Sequence, residues 1–240
     1  MKRIYLSIFL VSSSVLMLQV SLTRLFSIYL WYHFAFMVIS IAMLGLGSAG
    51  TVLSIYPRLK NISNISTYAM FAGLSIILGY VASNHIPFDP VKLSWDRMQV
   101  FYVALYYIVL SIPFFFSGIL IATVLLMYSE KSGLIYGADL LGAGTGALSV
   151  ILLLNIAGPQ FTVLLASTLC FIGALIAGGE NIKPLTAMFV LINLLLLIIH
   201  PEFINVRISQ YKELSLSLKY RGAEEIGLSI DEGGLQVLMA

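Results

Sequence analysis

The chain has 240 residues, of which 60% are hydrophobic and only 10% are charged, and its formal net charge is +2. Soluble domains average about 45–50% apolar and about 25% charged residues, so this composition excludes an ordinary soluble protein and predicts an integral membrane protein. A single cysteine, Cys170, excludes an intramolecular disulfide and a cysteine-based metal cluster.

Apolar runs long enough to cross a bilayer follow one another along the first 200 residues. A spanning helix needs about 20 mostly apolar residues, and Gly, Pro or charged residues separate the runs. The sequence therefore predicts an all-α fold, a polytopic transmembrane helix bundle of about seven spans with a short soluble C-terminal tail. The predicted spans are residues 4–27, 29–56, 67–86, 100–128, 134–156, 161–177 and the shorter 184–199.

The last forty residues have a different composition. Residues 201–240 carry four Lys/Arg and six Asp/Glu, whereas residues 1–200 carry nine and five. Tyr211, Leu214 and Leu218 share one face of a short amphipathic helix pattern. We therefore predict a transmembrane helical domain over 1–200, and over 201–240 a juxtamembrane linker and the start of a truncated or missing soluble domain.

The distribution of basic residues predicts the orientation. Basic residues collect in the short cytoplasmic loops of membrane proteins. With the N-terminus in the cytoplasm, only Lys92 and Arg97 lie in loops on the opposite side. We expect a multi-pass protein of the cell (inner) membrane, with the tail outside if all seven segments cross and inside if one is re-entrant. The cytoplasmic segments then contain Lys2, Arg3, Arg58, Lys60, Lys131 and Lys183.

Two glycine motifs invite different interpretations. Gly45-Leu-Gly47-Ser-Ala-Gly50 has the spacing of a dinucleotide-binding loop, but such a loop follows a strand and precedes an acidic residue by about 20 positions. Neither feature is present. Gly142 and Gly146 stand four apart on one helix face, as in close helix contacts. We predict that Gly45, Gly47, Gly142 and Gly146 pack helices together, and we expect no cofactor.

Three ionisable residues fall inside predicted spans: Arg24, His33 and Asp139. A carboxylate at membrane depth costs about 2.5–3.5 kcal/mol on insertion scales, so Asp139 has either a ligand or a structural partner. Arg24 lies at a different depth, so we expect the partner to be a hydroxyl, a tyrosine or a water on the fourth span. For His33 we expect interfacial anchoring, because no His or carboxylate follows it at ligand spacing and no metal site is predicted.

Motifs of soluble enzymes and of nucleic-acid binding are missing from the sequence. It contains no Walker A motif, no serine nucleophile elbow, no HExxH and no basic-aromatic stripe. We expect no catalytic residue in this chain and no nucleic-acid partner.

Several motifs of the predicted spans occur in a fixed order. They are Arg24-Leu-Phe, the run from His33 to Gly47, Pro113-Phe-Phe-Phe-Ser-Gly118, and Tyr136-Gly-Ala-Asp139-Leu-Leu-Gly142-Ala. Together they resemble the N-terminal membrane domain of one protein family, the membrane-bound spermidine synthase-like proteins. The tail segment that begins at Ser209 is similar to the linker of that family.

The resemblance implies a parent protein that transfers an aminopropyl group from decarboxylated S-adenosylmethionine to putrescine on a Rossmann-like domain. No motif of that domain follows Tyr220. The resemblance therefore implies a membrane-anchoring module without the catalytic domain. Its expected partners are the lipid bilayer, a soluble spermidine synthase-like domain or protein, and other copies of the chain. The alternative is a small transporter or membrane sensor with its site at Asp139.

Overall fold

The computed structural model describes residues 1–29, 32–89, 92–93, 95–178 and 182–199. These residues form an all-helical structure without strands, as predicted, and the predicted tail over 201–240 lies outside them. Short 3-10 helices lie between some of the long helices, at Pro57–Leu59, Ile62–Asn64 and Ser129–Lys131. The long helices are α1 (Lys2–Tyr29), α2 (Tyr32–Ile55), α3 (Ile65–His85), α4 (Met98–Met127), α5 (Ser132–Ala177) and α6 (Lys183–Ile199).

Helix α5 consists of two helical segments that meet at Gly158. This glycine has φ 77° and ψ 170°, a non-helical conformation that glycine adopts without the steric cost of a Cβ. Pro159 follows and suits the first position of a new helix, because its φ is already fixed near the helical value. We call residues 132–157 α5a and residues 159–177 α5b. The break lies between the predicted fifth and sixth spans.

Segment α5a runs parallel to α1. Gly142 lies against the backbone of Phe9, and Gly146, one turn later, lies against the backbone of Ser13. Both contacts therefore advance in the same direction along the two helices. Contact this close requires glycine, since a Cβ at either position would overlap a backbone carbonyl of α1.

Segment α5b runs antiparallel to α1, so the chain reverses direction at Gly158. Ser14 Oγ donates to the carbonyl oxygen of Ala166 at 2.6 Å, and Ser21 Oγ donates to Thr162 Oγ1 at 2.7 Å. As residue numbers increase along α1, the numbers of their partners in α5b decrease. Helix α1 is thus held by both arms of a helical hairpin.

The other helices also alternate in direction. Helix α3 is antiparallel to α5b, because Ser66 Oγ donates to the Ala174 carbonyl and Ser167 Oγ donates to the Gly73 carbonyl. Helix α4 is antiparallel to α3 and parallel to α2, and α6 is antiparallel to α5b. The contacts that set these directions are Tyr106 with Ser83, Val109 with Gly79, Phe114 with Gly45, Gly118 with Ala49, Phe189 with Phe171, and Asn193 with Leu164.

The helices have the length and composition of membrane spans. Five of those in the described residues are long and apolar enough to cross a bilayer, the fifth including both arms of α5, and α6 is a shorter apolar helix. Large apolar side chains cover the outer surface, which suits contact with lipid and would be unfavourable in water. The protein is therefore a membrane protein. Outward-facing residues include Phe36, Met43, Leu141, Leu152 and Ile156.

Candidate functional site

Asp139 forms the centre of the candidate site, at the contact between α5a and α1. It lies seven residues after Ser132, which places it about 10 Å from the start of the helix. Ser12 Oγ donates a hydrogen bond of 2.5 Å to Asp139 Oδ1. Ser12 is buried and Asp139 is half-buried. This hydrogen bond joins a side chain of α5a to one of α1, so the pair stabilises the contact between the helices.

The glycines of α5a bring the two side chains together. Gly142 and Gly146 allow the backbones of α1 and α5a to touch, one turn apart on the same face. Asp139 precedes Gly142 by three positions and therefore lies beside that face. Gly137 and Gly144 have nothing within 4 Å of an added Cβ and lie away from α1. The local sequence thus places one carboxylate at a close helix contact.

The three ionisable residues predicted for this site are not all brought together. Arg24 is half-buried in α1, twelve residues beyond Ser12, which is about 18 Å along the helix. The side chain of His33, in α2, lies outside the described part of the structure. The hydroxyl that binds Asp139 belongs to α1, whereas we expected a partner on the fourth span. The expectation differed because sequence does not reveal that α1 is the neighbour of α5a.

The glycines of α2 differ from each other in their surroundings. A Cβ on Gly45 would lie 2.5 Å from the Ser111 carbonyl oxygen and 2.6 Å from Phe114 Cβ, so this glycine packs α2 on α4. Gly47 has nothing within 4 Å. Two residues along a helix correspond to a rotation of about 200°, so Gly47 lies on the outer face.

A row of serines joins α1 to α5b and was not recognised in the sequence. Ser7, Ser14 and Ser21 are all fully buried and stand seven residues apart. A seven-residue spacing keeps side chains on one seam between two helices. Ser14 also accepts a hydrogen bond from Cys170 Sγ at 3.1 Å. The spacing was the available signal, because small polar residues at one interface position permit close packing in membranes.

Asn193 joins α6 to α5b. Its Nδ2 lies 3.0 Å from the Leu164 carbonyl, 3.2 Å from Ser167 Oγ and 3.0 Å from Thr168 Oγ1. Both hydroxyls donate to backbone carbonyls, so they accept from Asn193, and this requires the amide nitrogen to face them. The Asn193 Oδ1 atom is buried without a partner. One amide therefore fixes the position of α6.

The loop before α4, outside the membrane-spanning helices, contains several polar contacts. Gln99 Nε2 donates to Asp96 Oδ2 at 3.0 Å, and the Met98 backbone N–H donates to Asp96 Oδ1 at 3.0 Å. These two hydrogen bonds hold the pKa of Asp96 below its ordinary value. Lys92 and Asp89 form an ion pair at 3.9 Å. The loop is thus ordered by its own polar side chains.

Neither a group of metal ligands nor a related protein identifies further residues of this site. Among the described residues, no three His, Cys, Asp or Glu side chains are grouped so that they could hold a metal ion. Comparisons with protein-family models, with curated proteins and with solved structures gave no match.

The hydrogen bond between Ser12 and Asp139 is testable by a double-mutant cycle. We expect Ser12→Ala and Asp139→Asn, measured singly and together by SDS-induced unfolding in mixed micelles, to show a coupling free energy of about 1 kcal/mol. Ser40→Ala replaces an exposed serine of α2 and is the matched control. Additive effects of Ser12→Ala and Asp139→Asn would contradict a direct interaction.

Proposed function

We propose that this chain is the membrane-anchoring module of a spermidine synthase-like protein. In this proposal the chain crosses the cell membrane seven times, with its N-terminus in the cytoplasm. The sequence resemblance of the motifs around Arg24, Pro113 and Asp139 supports the family. The alternating helix directions support seven crossings, because α5 reverses at Gly158 and α6 runs antiparallel to α5b.

The observation that carries an anchoring role is the use of interior polar groups to hold helices together. Segment α5b is hydrogen-bonded to α1, α3 and α6 through Ser14, Ser66 and Asn193. In the described residues, the fully buried polar side-chain atoms without a partner are Ser7 Oγ, Thr123 Oγ1 and Asn193 Oδ1. Such an interior favours a rigid support over a polar path across the membrane.

Co-purification from native membranes tests the anchoring role. The full chain, tagged and crosslinked in cells before solubilisation, is expected to retain a soluble protein with aminopropyltransferase activity. A multi-pass protein with an unrelated sequence, expressed at the same level, is the control. The purified chain alone is expected not to turn over decarboxylated S-adenosylmethionine with putrescine. Failure to recover any such partner would argue against the proposal.

Cysteine labelling tests the topology, because the natural Cys170 is fully buried and gives little background. Cysteines introduced at Lys60 and Lys131 are expected to react with a membrane-impermeant maleimide only after the cell is opened. A cysteine at Lys92 is expected to react in intact cells. Labelling of all three from the same side would exclude this arrangement.

The second candidate is a transporter or sensor that uses Asp139. The observation in its favour is a half-buried carboxylate inside a long apolar helix, where it is hydrogen-bonded to Ser12 of α1. Uptake of cations into vesicles that contain the protein tests it. A transporter loses uptake on Asp139→Asn and retains it on Asn155→Asp, which alters an exposed residue of the same helix. Equal uptake by both variants, or none by the natural chain, argues against transport.

A further inference from the structure

Basic residues from four different segments of the chain lie at one end of the helix bundle. Because the helices alternate in direction, the starts of α1, α3, α5a and α6 lie at this end, together with the ends of α2 and α4. We call it the basic end. Most of its cationic side chains are exposed, and Lys60 and Lys183 are half-buried. The basic residues there are Lys2, Arg3, Arg58, Lys60, Lys131 and Lys183.

Carboxylates do not balance these charges. Glu130 is the carboxylate that the described residues place at the basic end, and the sequence adds Glu180 in a segment outside them. Six positive charges therefore face two negative ones. At the opposite end, the loop before α4 contains Lys92 and Arg97 together with Asp89 and Asp96, so its formal charge is zero.

Helix dipoles add to the positive potential of the basic end. Helices α1 and α6 begin at Lys2 and Lys183, and Lys131 is the residue before α5. None of these helices has an acidic residue in its first turn, and Lys131 provides no side-chain cap. Cations are unfavourable at helix N-termini, where the dipole is positive and free N–H groups attract anions. An external anion relieves both effects.

We propose that the basic end binds the phosphate headgroups of anionic phospholipids in the adjoining leaflet. The side chains flank helices of membrane-span length, which places them at headgroup depth rather than in bulk water. Tyr56, which is 60% exposed, and Tyr128 lie at the same end, and tyrosine is typical of the membrane interface. Each Lys or Arg next to a span strengthens binding to an anionic lipid surface about fivefold.

Three of the cations lie at the starts of two adjacent, parallel helices. Gly142, ten residues after Ser132, lies beside Phe9, seven residues after Lys2, so α5a begins about three residues, or about 5 Å, beyond the start of α1. Lys131 therefore lies at the same end as Lys2 and Arg3, on the helix next to theirs. Two helices with basic N-terminal residues thus face the same headgroups.

Lipid titration of the full chain in neutral detergent tests the proposal. The apparent dissociation constant for phosphatidylglycerol, measured by native mass spectrometry, is expected to be at least tenfold lower than that for phosphatidylcholine. Arg3→Gln combined with Lys131→Gln is expected to weaken phosphatidylglycerol binding by about 30-fold, from the interaction of two charges with an anionic surface. Lys92→Gln combined with Arg97→Gln, also one lysine and one arginine, is expected to leave it unchanged, because Asp89 and Asp96 already balance these two charges.

A lipid headgroup, a free anion and an acidic protein would each give a different result. Equal affinity for the two lipids, or equal losses in the two double variants, overturns the proposal. Inorganic phosphate that displaces phosphatidylglycerol at comparable concentration points to a free anion instead, and tighter binding of polyglutamate points to an acidic protein. Circular dichroism of each variant checks the fold. Arg3, Arg97 and Lys131 are exposed and Lys92 is half-buried in a loop, so helix content is expected to be unchanged.

Discussion

Replacing Gly142 and Gly146 together by alanine is expected to lower the free energy of unfolding by about 4 kcal/mol, because overpacking costs about 1–3 kcal/mol at each position. Each new methyl group would overlap the backbone of α1, at Phe9 and at Ser13, and a backbone cannot rotate away as a side chain can. SDS-induced unfolding of the purified protein in mixed micelles measures the change.

The same helix provides the control for this substitution. Gly137 and Gly144 have open space around them, so Gly137→Ala with Gly144→Ala introduces the same atoms without a clash. Alanine is the better helix former by about 1 kcal/mol per residue, so this variant is expected to be as stable as the natural chain or more stable. Equal losses of stability in the two double variants would show that α1 and α5a are not in contact.

Removing the amide of Asn193 is expected to destabilise the protein by about 2 kcal/mol. Asn193→Leu keeps the number and branching of the heavy atoms but leaves the Leu164 carbonyl, Ser167 Oγ and Thr168 Oγ1 without their shared donor. Interhelical hydrogen bonds in membranes contribute about 0.6 kcal/mol each on average and up to about 1.7. The effect is expected on α6 first, as earlier proteolysis near its ends.

Asn155→Leu is the matched substitution, since Asn155 is exposed on α5a. It is expected to change stability by less than about 0.5 kcal/mol, as surface substitutions usually do. A larger loss at Asn155 than at Asn193 would contradict the role given to the buried amide.

The helices could be predicted from the sequence because the hydrocarbon core of a bilayer allows few other backbone structures. Backbone groups in hydrocarbon must bond within their own helix, so an apolar run of sufficient length becomes a span. The break between the fifth and sixth predicted segments also followed, since Gly158-Pro159 combines a residue that tolerates positive φ with one that starts a helix. Predicted and observed helix ends differ by only a few residues.

Helix neighbours did not follow from the sequence. Outward and inward faces of a span are equally apolar, so hydropathy does not say which helix lies beside which. Asp139 was recognised as a polar residue that needs a partner, but Ser12 is 127 positions away and looks like any small residue of a span. Gly45 and Gly47 share one motif, yet only the contacts of the folded bundle distinguish the packed glycine from the open one.

The position of α1 between the two arms of the α5 hairpin has a consequence for biosynthesis. Ser14 is made 152 residues before its partner Ala166, and at about 5–20 residues per second this interval lasts about 8–30 s. During that time the first helix lies in the membrane, and the serines that later pack against α5b face lipid or another protein. Segment α5b therefore completes the environment of α1 after α5a is already in place, and translation that stops at Gly158 leaves Ser14 and Ser21 without their native partners.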